Sequence, residues 1–255
     1  MTTFVDEGVV LRRVDYADND RILTILTRTH GKLGVIARGV RKPGARLTPH
    51  TDLFARASVQ LTSGRGELLV LTQAQRSGDT PRLGEPIRAA CAAVVAELAD
   101  RVLEDGHPLE PEVYDLVARA LEGCGDPSRD PRAAVAWFSR RIIDRLGYGP
   151  ELWQCANCGE RLQDAPHPFS PVGGGLLCPR CAPSDPGSVP CSTTVIKVLR
   201  VIAADDEALY SRLRLSSALL ETLEAVVERE LEQHLDRRLR SFEVLRSLER
   251  HRPAV

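Results

Sequence analysis

The run RASVQLTSGRGELLVLTQ, residues 56–73, holds two short β-rich segments separated by Ser63-Gly64-Arg65-Gly66. In its first half Ala57, Val59 and Leu61 alternate with Arg56, Ser58, Gln60 and Thr62. That two-residue period puts the apolar side chains on one face of a strand and the polar ones on the other. The glycine-flanked connection then predicts a hairpin. Three more runs rich in Val, Ile, Leu and Thr lie upstream, between Val9 and Val14, Arg21 and Arg28, and Lys32 and Arg38. In the last of these, Leu33, Val35 and Ala37 alternate with Gly34, Ile36 and Arg38. Five short strands within residues 1–78 suit a small closed barrel, because closure removes exposed sheet edges. A five-stranded OB-fold barrel is the natural solution.

Beyond the linker Ser77-Gly78-Asp79-Thr80-Pro81 the period changes. Ile87, Cys91, Val94, Leu98 and Val102 recur at helical steps behind Pro86, a residue suited to a first helical turn. Val113, Leu116, Val117, Ala120 and Leu121 repeat the pattern before Gly123. Asp130-Pro131 opens a third helix that Gly147 stops. Val195, Val198, Leu199 and Ile202 mark a fourth, and a last helical stretch runs from about Ser216 to Leu248, with a break expected near Ser241. The expected architecture is therefore α+β and multidomain. An OB-fold domain over 1–78 is followed by an α-helical bundle domain over 82–255, which carries a cysteine-rich insert over 153–190.

The formal net charge of −1 conceals an asymmetry: residues 1–78 hold twelve Lys/Arg against seven Asp/Glu, and the rest hold twenty-two against twenty-eight. A basic head on an acidic body points the head at an anionic partner. No apolar run reaches the length of a membrane span, and the start MTTFVDEGVV lacks the features of a signal peptide, so a cytoplasmic location and no membrane partner are expected. In that compartment the seven cysteines read as metal ligands or core side chains, not disulfides.

Four of the cysteines form two Cys-x-x-Cys pairs, Cys155/Cys158 and Cys178/Cys181, with nineteen residues between the inner members. The spacing matches a tetrahedral zinc site, although four sulfurs suit iron as well. Gly159 and Pro179 supply the tight turns, and Phe169 to Leu177 can form a hairpin between the pairs. Four protein ligands leave no open position for water, so the site reads as a structural clasp in a zinc ribbon. Cys91, Cys124 and Cys191 have no pairing logic, and Cys91 lies on an apolar helix face.

The stretch RTHGKLGVIARGVRKPGAR, residues 28–46, carries Arg28, Lys32, Arg38, Arg41, Lys42 and Arg46 and no acid. A glycine- and proline-bearing loop of this kind can track phosphates, giving salt-sensitive, weakly sequence-specific binding. A solvated basic face without a ligand is the plainer alternative. Residues 1–78 contain only Phe4, Tyr16 and Phe54 as aromatics, few for a base-stacking barrel. Catalytic signals are sparse. Asp15, Asp18 and Asp20 are candidate Mg2+ ligands for a nuclease, but such carboxylates ahead of a strand more often make a turn. The six histidines are scattered, and no phosphate-binding loop, nucleophile elbow or dinucleotide fingerprint occurs. A third possibility is an interaction adaptor that binds no nucleic acid.

The chain resembles the RecO proteins, bacterial recombination and repair mediators. The resemblance rests on Gly8-Val9-Val10-Leu11, Tyr16, Asp20-Arg21-Ile22-Leu23-Thr24, Thr27, Gly31-Lys32 and Ala37-Arg38-Gly39. CANCG and GGLLCPRC resemble the zinc insert of many members, and HLDRRLRSFEVL resembles a weaker C-terminal pattern. The resemblance implies a non-enzymatic protein of the bacterial cytoplasm and nucleoid, with no small-molecule substrate, that binds single- and double-stranded DNA and promotes strand annealing. With RecR it would help to load recombinase onto strands coated by single-strand-binding protein, whose C-terminal tail it would also contact. Carried over by residue, DNA contacts would be Lys32, Arg38, Arg41, Lys42 and Arg46, with Arg237, Arg238 and Arg240 extending the track. One structural Zn2+ would sit on Cys155, Cys158, Cys178 and Cys181.

Overall fold

The computed structural model describes residues 2–64, 66–78, 81–235 and 238–251. Five strands, β1 (Thr3–Tyr16), β2 (Asp20–Thr27), β3 (Gly31–Ala37), β4 (Arg56–Ser63) and β5 (Leu69–Arg76), close into a barrel in the order β1-β2-β3-β5-β4. Neighbours pair antiparallel except β3 and β5, whose short parallel contact closes the barrel. This is the expected OB-like barrel. The alternation in residues 56–62 holds, with Ala57, Val59 and Leu61 packed inside beside Val10, Leu23, Ile25, Val35, Ala37 and Leu71. β1 extends well ahead of Val9, because its first half pairs with β4 and its second with β2. A bulge between Val10 and Arg12 bends it from one partner to the other, as bulges do at barrel corners. Val9 and Leu11 face away from Val10 yet are also buried, on the side where helix α1 (Pro86–Val102) packs.

Six further helices follow: α2 (Pro111–Gly125), α3 (Pro131–Arg145), α4 (Thr193–Ala203), α5 (Glu207–Arg212), α6 (Ser217–His234) and α7 (Arg240–Arg250). Proline occupies the first turn of α1 and α2, where its missing N–H has no helical partner in any case. The last helical stretch is broken near Ser241, as expected: α6 ends at His234 and α7 begins at Arg240. The N–H groups of Arg240 and Ser241 donate to the Glu97 carboxylate of α1, at 3.2 and 2.8 Å. That remote carboxylate satisfies N–H groups which a fresh helix start leaves open, so the chain can restart there. α5 escapes a periodicity reading because it is a single short stretch capped by Asp206.

The chain divides into two compact units. One holds residues 1–135 and 239–255, so the barrel shares its unit with α1, α2 and α7. The other holds residues 136–238. In the second unit, strands β6 (His167–Ser170), β7 (Gly175–Leu176) and β8 (Val189–Cys191) form a small sheet in the order β7-β6-β8. The β6–β7 pairing is the hairpin expected between the cysteine pairs. Gly175 is required there, since a Cβ would stand 2.4 Å from the carbonyl oxygen of Glu151. Among the described residues, no helix is long and apolar enough to cross a membrane.

Candidate nucleic-acid interface and metal centre

The β3–β4 connection places its cations unequally. Arg38, Arg41, Lys42 and Arg46 are all exposed. Gly39, with φ of +67°, starts the loop, and its N–H donates to the Asp20 carboxylate at 2.8 Å. Val40 turns inward and is buried, which pins the loop to the barrel and leaves its flanking side chains outside. Arg41 makes one long contact to Asp15 at 3.5 Å and reaches the carbonyls of Ala17 and Asp18 at 3.4 Å. The side chains of Arg38, Lys42 and Arg46 have no carboxylate partner among the described residues.

Other cations of the barrel are engaged. Arg12 pairs with Asp100, Arg13 with Asp52, Arg21 with Asp15 and Asp52, Arg28 with Asp115, and Arg56 with Glu122. Lys32 departs furthest from the sequence expectation. It is 6% exposed, and its ammonium lies 3.2 Å from Asp100 and 3.1 Å from Asp105. It also donates to the carbonyl of Asp100. Its backbone carbonyl accepts from Gly106 at 2.8 Å, and a Cβ on the adjoining Gly31 would collide with the carbonyl of His107. Gly31-Lys32 thus ties β3 to the segment after α1, and Lys32 is not on the surface shared by the loop cations.

Arg46 also borders an open groove of about 680 Å³, walled by Ser58 and Gln60 of β4 and Thr72, Gln73 and Gln75 of β5. Ser58 and Gln60 are the polar positions of the alternation in β4, and Val5, Leu47 and Ala74 complete the lining. Of the C-terminal arginines, Arg238 is exposed and pairs with Glu232 at 2.8 Å, and Arg240 is exposed at the start of α7. Arg237 lies outside the described residues.

Asp15, Asp18 and Asp20 sit around the β1–β2 turn, and two of their carboxylates have structural partners. Asp15 pairs with Arg21 and Arg41, and Asp20 accepts from Gly39. Among the described residues, the cluster of potential metal ligands is the cysteine one.

The sulfurs of Cys155, Cys158, Cys178 and Cys181 all lie within 4.8 Å of one another, and those of Cys158 and Cys178 are 3.8 Å apart. Metal–sulfur bonds of about 2.3 Å in a tetrahedron set sulfurs about 3.8 Å apart, so the donor set fits a metal. Each pair sits on a tight turn: Gly159, with φ of +72°, donates to the carbonyl of Cys155 at 2.8 Å, and Cys181 donates to that of Cys178 at 3.0 Å. Burial pushes the Cys155 thiol up, but the N–H groups of Cys178, Cys158 and Asn157 outweigh it and bring it down to about 6. Cys181 goes the other way, to about 11. A hydrogen bond with Asn157 lowers it, and the neighbouring thiols with desolvation more than reverse this. Four thiolates so close repel one another unless a cation joins them. The other three cysteines are buried, Cys91 and Cys124 fully so.

Comparison with known proteins adds the lineage. The N-terminal model of recombination protein O matches residues 1–77, and the C-terminal model matches residues 83–243. A "DNA repair protein RecO" from Symbiobacterium thermophilum is 32% identical over 251 residues, covering 97% of this chain and 98% of its own length. Another from Roseiflexus sp. is 35% identical, covering 94% of this chain and 83% of its own. The Bacillus subtilis protein of the same name is 31% identical, covering 95% and 94%. A barrel with an exposed basic loop, a four-cysteine centre and family matches over both parts of the sequence lead to one assignment: the chain belongs to the RecO family of DNA repair proteins.

Proposed function

We propose that this protein is a non-enzymatic DNA-binding mediator whose barrel holds strands by their phosphates and promotes annealing of complementary strands. The observation that carries the reading is the contrast among barrel cations. Among the described residues, Arg38, Lys42 and Arg46 are exposed without carboxylate partners and Arg41 is only loosely held, whereas Arg12, Arg13, Arg21, Arg28, Lys32 and Arg56 are all ion-paired. A cation already neutralised must surrender its partner to meet a phosphate, and a solvated one releases only water and counterions. Strands held by phosphates keep their base edges free to pair. Arg238 and Arg240 would add further phosphate contacts, and single- and double-stranded DNA would both bind.

Family membership supports the rest of the assignment. With RecR the protein would help to load recombinase onto strands coated by single-strand-binding protein, and it would contact that protein's C-terminal tail. The metal is zinc on four cysteines, a closed structural site that holds a short ribbon together where a hydrophobic core is too small. The test is the anisotropy of a labelled single-stranded oligonucleotide over a salt series, with wild type beside Arg41→Glu/Lys42→Glu. The variant is expected to bind more weakly with a shallower salt dependence, by roughly 0.7 in log–log slope for each phosphate that is no longer neutralised. Equal slopes would sink the loop as the DNA site.

A further inference from the structure

The barrel offers little stacking surface: Phe54 is buried, Phe4 stacks on His30 with centroids 4.0 Å apart, and Tyr16 at the end of β1 is its one well-exposed ring, at 52%. Another exposed ring stands in the second unit, two residues ahead of Cys155. Trp153 is 50% exposed, whereas the other tryptophan, Trp137, is buried against Tyr210.

A single exposed aromatic is ordinary on a protein surface. What sets Trp153 apart is how it is held and what lies beside it. The backbone N–H of Trp153 donates to the Glu151 carboxylate at 2.8 Å, and its backbone carbonyl accepts from the N–H of Leu162 at 2.9 Å. Glu151 is itself laced by its backbone to Gly174 and Leu176, on the turn that leads to Cys178. The ring is therefore mounted on the cysteine clasp. Over one face of the ring stands Arg200 of α4, its guanidinium carbon 5.9 Å from the ring centroid, which leaves the other face for a ligand. The Nε and Nη2 groups of Arg200 both donate to the carbonyl of Leu152, at 3.1 and 2.7 Å. That carbonyl fixes the guanidinium without neutralising it. One turn earlier, Lys197 makes only an exposed pair with Asp164 at 3.1 Å.

We propose that Trp153, with Arg200 beside it, is a stacking platform for an unpaired base of single-stranded nucleic acid, with Arg200 and Lys197 facing the flanking phosphates. A rigid indole next to an unneutralised cation offers a base both a π-face and charge for its backbone, and every base has a face to stack. Bases inside a duplex already stack on their neighbours, so such a platform selects unpaired ones. The inference rests on the DNA-binding reading above and adds a second, sequence-tolerant contact outside the barrel.

The test is tryptophan emission and anisotropy of the full-length protein titrated with oligo(dT), and with an abasic oligonucleotide of the same length. Oligo(dT) is expected to quench the emission of wild type, and the abasic strand to bind without quenching. Trp153→Ala should lose the quenching and weaken oligo(dT) binding by roughly 5- to 150-fold with an unchanged salt slope. Trp153→Phe, which keeps a ring and guards against a folding defect, should retain most of the affinity. Tight oligo(dT) binding without quenching, and with equal affinity in Trp153→Ala, would overturn this inference and leave the barrel reading intact. Quenching by an apolar peptide but not by oligo(dT) would overturn it in favour of a protein partner. Absence of any oligonucleotide binding would remove the DNA-binding reading and the platform together.

Discussion

Asp6 is a carboxylate that the barrel has closed around. Its side chain is almost fully buried and accepts from the N–H of Glu7, Thr29 and His30, from the Thr29 hydroxyl, and pairs with His30 Nδ1 at 2.7 Å. Burial pushes its carboxyl up, but the bonds from His30, Thr29 and Glu7 outweigh this and hold it below the usual carboxylate value. A depressed folded-state pKa contributes stability that is full above about pH 4 and is lost as pH falls through the folded value. Resistance to urea should therefore fall below that pH in wild type, while Asp6→Asn should be less stable at neutral pH and flatter across the same acid window. Equal acid dependence in both would refute the role. Lys32 makes the complementary case. Lys32→Gln should lower the unfolding free energy by about 1–3 kcal/mol once the exposure of Asp105 is allowed for, yet leave the salt slope of DNA binding unchanged. Lys42→Glu should do the reverse, and a changed slope in Lys32→Gln would return it to the DNA track.

At the scale of elements, the cysteine segment and the helix restart illustrate different kinds of support. Strands β7 and β8 are two and three residues long, too short for independent stability, so their order depends on the sulfur centre and on close contacts such as Gly175 against Glu151. Plasma mass spectrometry should find about one zinc per chain, and Cys155→Ser should remove it. In that variant, hydrogen exchange should rise across residues 151–191 while residues 1–78 keep their protection. Unchanged exchange would show that the ribbon stands without metal. A break near Ser241 was expected from the sequence, but the contact that supports the restart was not. What interrupts the helix is a partner, Glu97, that lies 143 residues away in sequence from Arg240. No local pattern carries that information.

For the whole molecule, the proposed function requires holding DNA without occupying base edges. Arg38→Glu/Lys42→Glu should slow annealing of complementary oligonucleotides by at least about tenfold at low salt, with an unaltered circular dichroism spectrum. High salt should narrow the gap between variant and wild type, since screening weakens the phosphate attraction on which that gap depends. Annealing that survives in the variant would place the working surface elsewhere.

Much of this was legible in the amino-acid order alone. The two-residue alternation of 56–62 settled which side chains enter the barrel, and the paired Cys-x-x-Cys spacing named the four sulfurs that meet. Both are signals of short range, written in backbone period and turn chemistry, and neither needs a distant partner. Which cations are available was decided only by the tertiary structure. Lys32 and Lys42 look alike in the basic run, yet one is buried and paired with Asp100 and Asp105 and the other meets solvent. Likewise Trp153 reads as an ordinary apolar residue until Arg200 is brought beside it. A charge or a ring acquires its role from what faces it, and in this chain those neighbours lie tens of residues away, beyond the reach of any local period.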